Sequence, residues 1–119
     1  EGTPIDVMAR EEVKAGPIEI IASIDESGPH AYAAEIQKVS NTDQPTKNLV
    51  IKVTDQRLLE STGGIVQGMS GAPLLQDGRL CGAVTHVFMD DPTRGYGIFA
   101  ETMVEQCRNI EEANKSEKD

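Results

Sequence analysis

From Pro17 to Phe99 the chain repeatedly alternates apolar and polar positions with a period of two. Ile18, Ile20, Ala22 and Ile24 alternate with Glu19 and Ser23; Tyr32, Ala34 and Ile36 with Glu35 and Gln37; Leu49, Ile51 and Val53 with Lys52 and Thr54. Successive side chains on a strand point to opposite faces, so each segment reads as a strand with one face turned to a core. The clusters Asp25-Glu26-Ser27-Gly28-Pro29 and Asn41-Thr42-Asp43-Gln44-Pro45 read as turns between them. Asp77-Gly78, between Pro73-Leu74-Leu75-Gln76 and Arg79-Leu80-Cys81-Gly82-Ala83-Val84-Thr85, is a two-residue hairpin signal because both central positions favour positive φ. After a loop over Asp90 to Gly95 comes a short strand, Tyr96 to Phe99, and then the periodicity changes. Met103, Val104, Cys107 and Ile110 fall on one helical face, with Thr102 and Glu105 spaced as a capping box. Residues 111–119 are nearly devoid of apolar side chains and read as a frayed polar tail. The pattern predicts an all-β domain over residues 1–110 with one C-terminal amphipathic helix.

At 119 residues the chain is one domain, long enough to bury roughly two-thirds of its unfolded surface without a disulfide or metal staple. Its aromatic residues are limited to Tyr32, Phe88, Tyr96 and Phe99, so the core rests on Ile, Val, Leu and Ala, a composition suited to strands. A formal charge of -9 argues against nucleic acid and against an acidic partner, because phosphate-backbone affinity needs clustered Lys and Arg. No apolar run is long enough to span a membrane and the start is not signal-like. The opening Glu1-Gly2-Thr3-Pro4, without methionine, is compatible with a piece of a longer protein. Cys81 and Cys107 read as packed free thiols, a disulfide between them remaining an alternative. No cofactor or metal is expected.

The chemistry concentrates at Gly68-Met69-Ser70-Gly71-Ala72-Pro73, just before the hairpin. A hydroxyl nucleophile needs its oxygen exposed on a tight turn with backbone N–H groups free to face an oxyanion, and flanking glycines allow that path. The bland alternative is a glycine-serine turn. A serine nucleophile also needs a histidine base and a carboxylate to hold that histidine. The chain has two histidines, His30 and His86. His30, in Gly28-Pro29-His30, reads as a solvated turn residue; His86, on the strand beside the serine, reads as a pocket wall rather than a base.

The order of nucleophile loop, proline, hairpin, strand, Gly95-Tyr96-Gly97 and terminal helix looks like the C-terminal barrel of a chymotrypsin-like serine peptidase. Lys52-Val53-Thr54-Asp55, Gly63-Gly64-Ile65-Val66-Gln67-Gly68-Met69-Ser70-Gly71 and Gly82-Ala83-Val84-Thr85-His86-Val87-Phe88, with Asp91-Pro92-Thr93 and Gly95-Tyr96-Gly97, more closely resemble the peptidase domain of the stage IV sporulation protein B family over residues 4–105. The resemblance implies the C-terminal part of a peptidase domain in residues 1–110. It implies Ser70 as nucleophile, Asp55, fifteen residues earlier, as triad acid, and the Gly68 and Ser70 N–H groups as the oxyanion hole. Thr85, His86 and Val87 would form the substrate-pairing strand and pocket. Met69 stands where many digestive peptidases have aspartate, so activation by a newly cut N-terminus is not expected. The family's base lies in a Gly-His-Gly type segment with no counterpart here, so the catalytic histidine is expected outside this chain and the isolated chain is expected to be inactive.

Members of the family act outside the membrane in a sporulation signalling cascade, between mother cell and forespore, and carry an upstream PDZ domain. The implied partners are a protein substrate and the upstream PDZ and peptidase segments of the parent chain. Two other readings of the residues stay open: a peptidase-like module that binds an extended peptide by strand addition along Val84 to Phe88, and a plain structural domain. For Asp55 by itself, the alternative to an acid is a strand-end residue capping Gln56 to Glu60.

Overall fold

The computed structural model describes residues 6–40 and 44–106. Six strands form a closed antiparallel barrel in the order β1-β2-β3-β6-β5-β4: β1 Gly16–Ala22, β2 His30–Val39, β3 Leu49–Val53, β4 Pro73–Gln76, β5 Arg79–Phe88 and β6 Asp91–Phe99. A short helix α1, Gln56–Thr62, follows β3, and a second helix, α2, begins at residue 100 and is described to 106. The alternation read from the sequence is what closes the barrel. Ile18, Ile20 and Ala22 of β1, Tyr32, Ala34 and Ile36 of β2, and Leu49, Ile51 and Val53 of β3 are buried, while Glu19 and Lys52 are exposed. With Leu74, Val84 and Phe99 they form one core; each fully buried aliphatic contributes about 1.5–3 kcal/mol.

The hairpin forms where Asp77-Gly78 requires it, with φ of 52° and 76°. Two other features differ from the pattern-based expectation. The segment read as a loop over Asp90 to Gly95 belongs to β6, which pairs from Asp91 opposite Phe88, so β5 and β6 are joined by a turn at Met89-Asp90. Pro92 sits near the first residue of the strand, one of the few places where a missing N–H is tolerated. The capping box over Thr102 and Glu105 does not start the terminal helix: the chain passes from β6 into α2 at residue 100, and Glu101 and Glu105 both bond Arg10. Val104 is 37% exposed; Cys107, Ile110, the 111–119 tail and the Asn41-Thr42-Asp43 part of the second turn lie outside the described residues. No described helix is long and apolar enough to cross a membrane.

Register brings chain ends together. Ala22 pairs His30, Ala34 pairs Val53, Lys52 pairs Arg94, Phe88 pairs Asp91 and Pro73 pairs Ala83. The end of β3, the end of β5 and the start of β4 therefore share one end of the barrel, which carries Asp55 just after β3 and Ser70 just before β4.

Cys81 is a buried free thiol on β5, and desolvation pushes its pKa up to about 11. In a Cys107→Ser variant, a thiol reagent at pH 8 should modify Cys81 only as fast as the protein opens; immediate stoichiometric reaction would mean that β5 is not packed as described. Two glycines make a graded test of the backbone around Ser70. Gly71 has φ +89° with open space around its missing Cβ, whereas Gly64 has φ +135° and a Cβ there would lie 2.3 Å from the Pro92 carbonyl oxygen. Gly71→Ala should cost about 1–2 kcal/mol from left-handed strain alone, and Gly64→Ala more, read as successive drops in Tm.

Candidate active site

Ser70 stands in a loop fixed at both sides. Before it, Gln67–Met69 form a 3-10 turn in which Met69 N–H donates to the Val66 carbonyl at 2.9 Å, and the Met69 side chain is buried in the core. After it, Gly71 N–H donates to the Val84 carbonyl at 2.7 Å and Val84 N–H to the Ala72 carbonyl at 3.0 Å. Methionine here is an anchor that pins the loop to the barrel, a role the sequence pattern did not reveal. Gly71, not Gly68, holds the positive φ; Gly68 has open space where a side chain would be, which leaves its backbone approachable.

The Ser70 residue is exposed, and its hydroxyl donates to the Thr85 carbonyl at 3.4 Å. That distance is at the long limit of a hydrogen bond, so the hydroxyl is weakly held. β4 pairs with β5 only as far as Pro73 opposite Ala83, while β5 continues to Phe88 with β6 on its other side. Thr85, His86 and Val87 thus have one flank without a strand, and Ser70 lies at the start of that open flank. Thr85 turns its hydroxyl to the Thr46 carbonyl at 2.6 Å, and His86 is exposed.

A cavity of about 410 Å3 opens beside the serine, lined by Ile65, Val66, Ser70, Val84, Thr85, His86, Val87 and Met89. Thr85, His86 and Val87, expected at a pocket, line this cavity together with Ile65, Val66 and Met89, which sequence reasoning did not name. Their only advance signal was an apolar pair directly after Gly63-Gly64. Ile65 N–H donates to the Pro92 carbonyl at 2.7 Å, which stitches the Ser70 approach segment to β6.

Asp55 is at the same end of the barrel but in a different network. Its carboxylate caps α1, accepting from Arg57 N–H at 2.9 Å. It also accepts from Ala33 N–H at 2.9 Å and from the Arg57 guanidinium at 3.0 and 2.8 Å. Arg57 in turn donates to the Ala31 carbonyl and lies 5.2 Å from the Tyr32 ring centre. The Arg57 guanidinium, and after it the Ala33 amide, hold the Asp55 carboxyl well below the usual carboxylate range.

His30 is exposed at the start of β2, its Nε2 2.7 Å from Ser27 Oγ, while Ser27 Oγ donates to Asp25 at 2.5 Å. The acid there contacts the hydroxyl and not the imidazole, the wrong order for a charge relay, and the group is a turn brace. Among the described residues no cluster of His, Cys, Asp and Glu could hold a metal ion.

Comparison with known proteins gives this geometry a context. The model of a peptidase family described as SpoIVB peptidase S55 matches residues 1–104. A crystal structure of Rv3671c from M. tuberculosis H37Rv, a serine-to-alanine mutant in its inactive form, is similar with a TM-score of 0.61 at 22% identity. That likeness covers 91% of this chain and 54% of the other, so the chain spans about half the length of that structure, and at this identity it speaks for the barrel fold alone. A search of curated proteins returned no match. With the family model covering the barrel, the serine loop and the start of α2, the chain belongs to the SpoIVB peptidase S55 family, and its barrel has a chymotrypsin-like fold.

Proposed function

We propose that this chain is the nucleophile-bearing part of a serine endopeptidase, in which Ser70 attacks a peptide carbonyl of a protein substrate and a histidine outside these 119 residues takes its proton. The observation that carries the reading is the exposed, weakly held Ser70 hydroxyl at the point where β5 loses its β4 neighbour. An extended peptide laid along Thr85 to Val87 pairs its backbone with the open flank and brings one carbonyl to Ser70. The Gly68 and Ser70 N–H groups are the donors assigned to the resulting oxyanion, with Gly68 leaving room for its approach. A serine hydroxyl is almost wholly protonated at neutral pH, so an imidazole must accept its proton and return it to the leaving amine. His30 is engaged by Ser27, and His86 is assigned to the pocket wall, which leaves the base to the parent chain. The setting that goes with this reading is a sporulation signalling cascade outside the membrane, with upstream PDZ and peptidase segments of the parent chain as the proposed intramolecular partners.

For Asp55 the resemblance implies the triad acid. Its hydrogen bonds favour a second reading: a clamp that fixes α1 against β2 and so sets the path into the Ser70 loop. A triad acid keeps a lone pair for the histidine ring, whereas this carboxylate already accepts four hydrogen bonds from Arg57 and Ala33. A binding module using the same open flank remains the alternative from another class, separated by the first test below.

Fluorophosphonate should label Ser70 in the full-length gene product and not in its Ser70→Ala variant, and residues 1–119 alone should label at least about 10³-fold more slowly. Equal labelling of both would place the base within this chain and make His86 the leading candidate; no labelling of either would leave the binding module. Thermal melts decide the role of Asp55. If it is a clamp, Asp55→Ala should cost about 1–2 kcal/mol at pH 7 and Arg57→Ala should lower both stability and turnover with it. Because the folded-state pKa is depressed, this stability is present above the unfolded pKa of about 3.9 and is lost on acidification, so wild type and Asp55→Ala should converge as pH falls below about 4. If Asp55 is the acid, Asp55→Ala should instead lose about 10⁴ in kcat while Arg57→Ala keeps its turnover.

A further inference from the structure

We propose that the cavity beside Ser70 is a specificity pocket for an aliphatic side chain, that of the substrate residue whose carbonyl Ser70 attacks. The proposal rests on Ser70 being the nucleophile and adds what the site selects. An extended peptide pairing with β5 at Thr85 to Val87 presents alternate side chains to that face of the strand, and the residue whose carbonyl reaches Ser70 is next to the cavity mouth that Ser70 itself lines. The walls are Ile65, Val66, Val84, Val87 and Met89, with no Asp, Glu, Lys or Arg among the lining residues. A charged side chain entering there loses hydration and meets no counter-charge, so Lys, Arg, Asp and Glu are disfavoured.

The floor sets the second limit. Ile65 packs against β6 at Gly95, where a Cβ would meet the His86 carbonyl oxygen at 2.5 Å and Ile65 Cδ1 at 3.0 Å. Ile65 is 3% exposed and tethered through its backbone to Pro92, so this floor is fixed. With branched Ile65, Val66 and Val84 as its walls, the pocket suits Val, Leu, Ile or Met better than a flat aromatic ring. At the mouth, Val66 is 39% and Met89 98% exposed. Large apolar side chains left in water beside a reactive hydroxyl are surface that a substrate side chain can cover.

The test uses the full-length gene product and peptidyl diphenyl phosphonates identical except for a terminal Leu, Phe, Lys or Glu, with a plain fluorophosphonate as reference for the nucleophile itself. The Leu probe should label Ser70 about tenfold or more faster than the Lys and Glu probes and severalfold faster than the Phe probe. Val66→Asp, on a partly exposed loop position, should invert the Leu to Lys order, and Ile65→Ala should raise the Phe rate relative to Leu. Equal or faster labelling by Lys, Glu or Phe, or a Leu to Lys order unmoved by Val66→Asp, overturns the pocket assignment while leaving Ser70 as nucleophile. Failure of the plain fluorophosphonate to label Ser70 overturns the reading beneath and this inference with it.

Discussion

The ten-residue strand β5 pairs on one flank with β6 from Gly82 to Phe88 but on the other with only the four residues of β4, from Arg79 to Ala83, and the site depends on that offset. A closed barrel has no free edges, yet past Ala83 this one leaves a short stretch of strand with backbone groups and no strand to take them. Ser70 is delivered to the start of that stretch because it immediately precedes β4, so the strand that ends the pairing also positions the hydroxyl. Had β4 begun three residues earlier, the serine would be a ladder residue and the flank would be sealed.

Holding an irregular loop at the mouth of a barrel requires fixed points, and each is a backbone or packing contact of a specific residue. Met69 plugs the loop into the core, Gly71 gives the left-handed turn that returns it to Val84, and Gly64 lets the approach segment touch Pro92. Upstream, Asp55 and Arg57 fasten α1 to the start of β2, and Gly63 ends α1 with a left-handed cap bonded to Leu59. These contacts order the path from β3 to Ser70 without any of them touching its hydroxyl. Remote substitutions in this path are expected to act through loop position.

Much of this was legible before any coordinates. Strands half-buried in a barrel must alternate, so Ile18 to Ala22, Tyr32 to Ile36 and Leu49 to Val53 announced themselves, and Asp77-Gly78 fixed its own turn. The first half of β6 was not legible because Asp91-Pro92-Thr93-Arg94-Gly95 has the composition of a loop; it pairs because tertiary contacts from Phe88 and Ile65 override local preference. α1 spans seven residues with Leu58 its one buried position, too short to show a helical period, although the capping alternative for Asp55 marked its start. At the terminal helix a genuine capping-box spacing misled, since the helix continues straight from β6 and Glu105 is drawn to Arg10. The Ser70 loop was visible from its glycines, but the apolar cavity beside it was not, because Ile65, Val66 and Met89 converge only after the barrel closes.

The barrel is proposed to present Ser70 on the open flank of β5 for a base supplied from elsewhere in the parent protein. A crystal structure of the full-length gene product carrying a peptidyl phosphonate on Ser70 would test it most directly. An imidazole nitrogen from outside residues 1–119 is expected within about 2.6–3.2 Å of the Ser70 oxygen, with the inhibitor backbone paired to Thr85 through Val87. His86 at that distance from the serine oxygen, or an inhibitor lying away from β5, would contradict it.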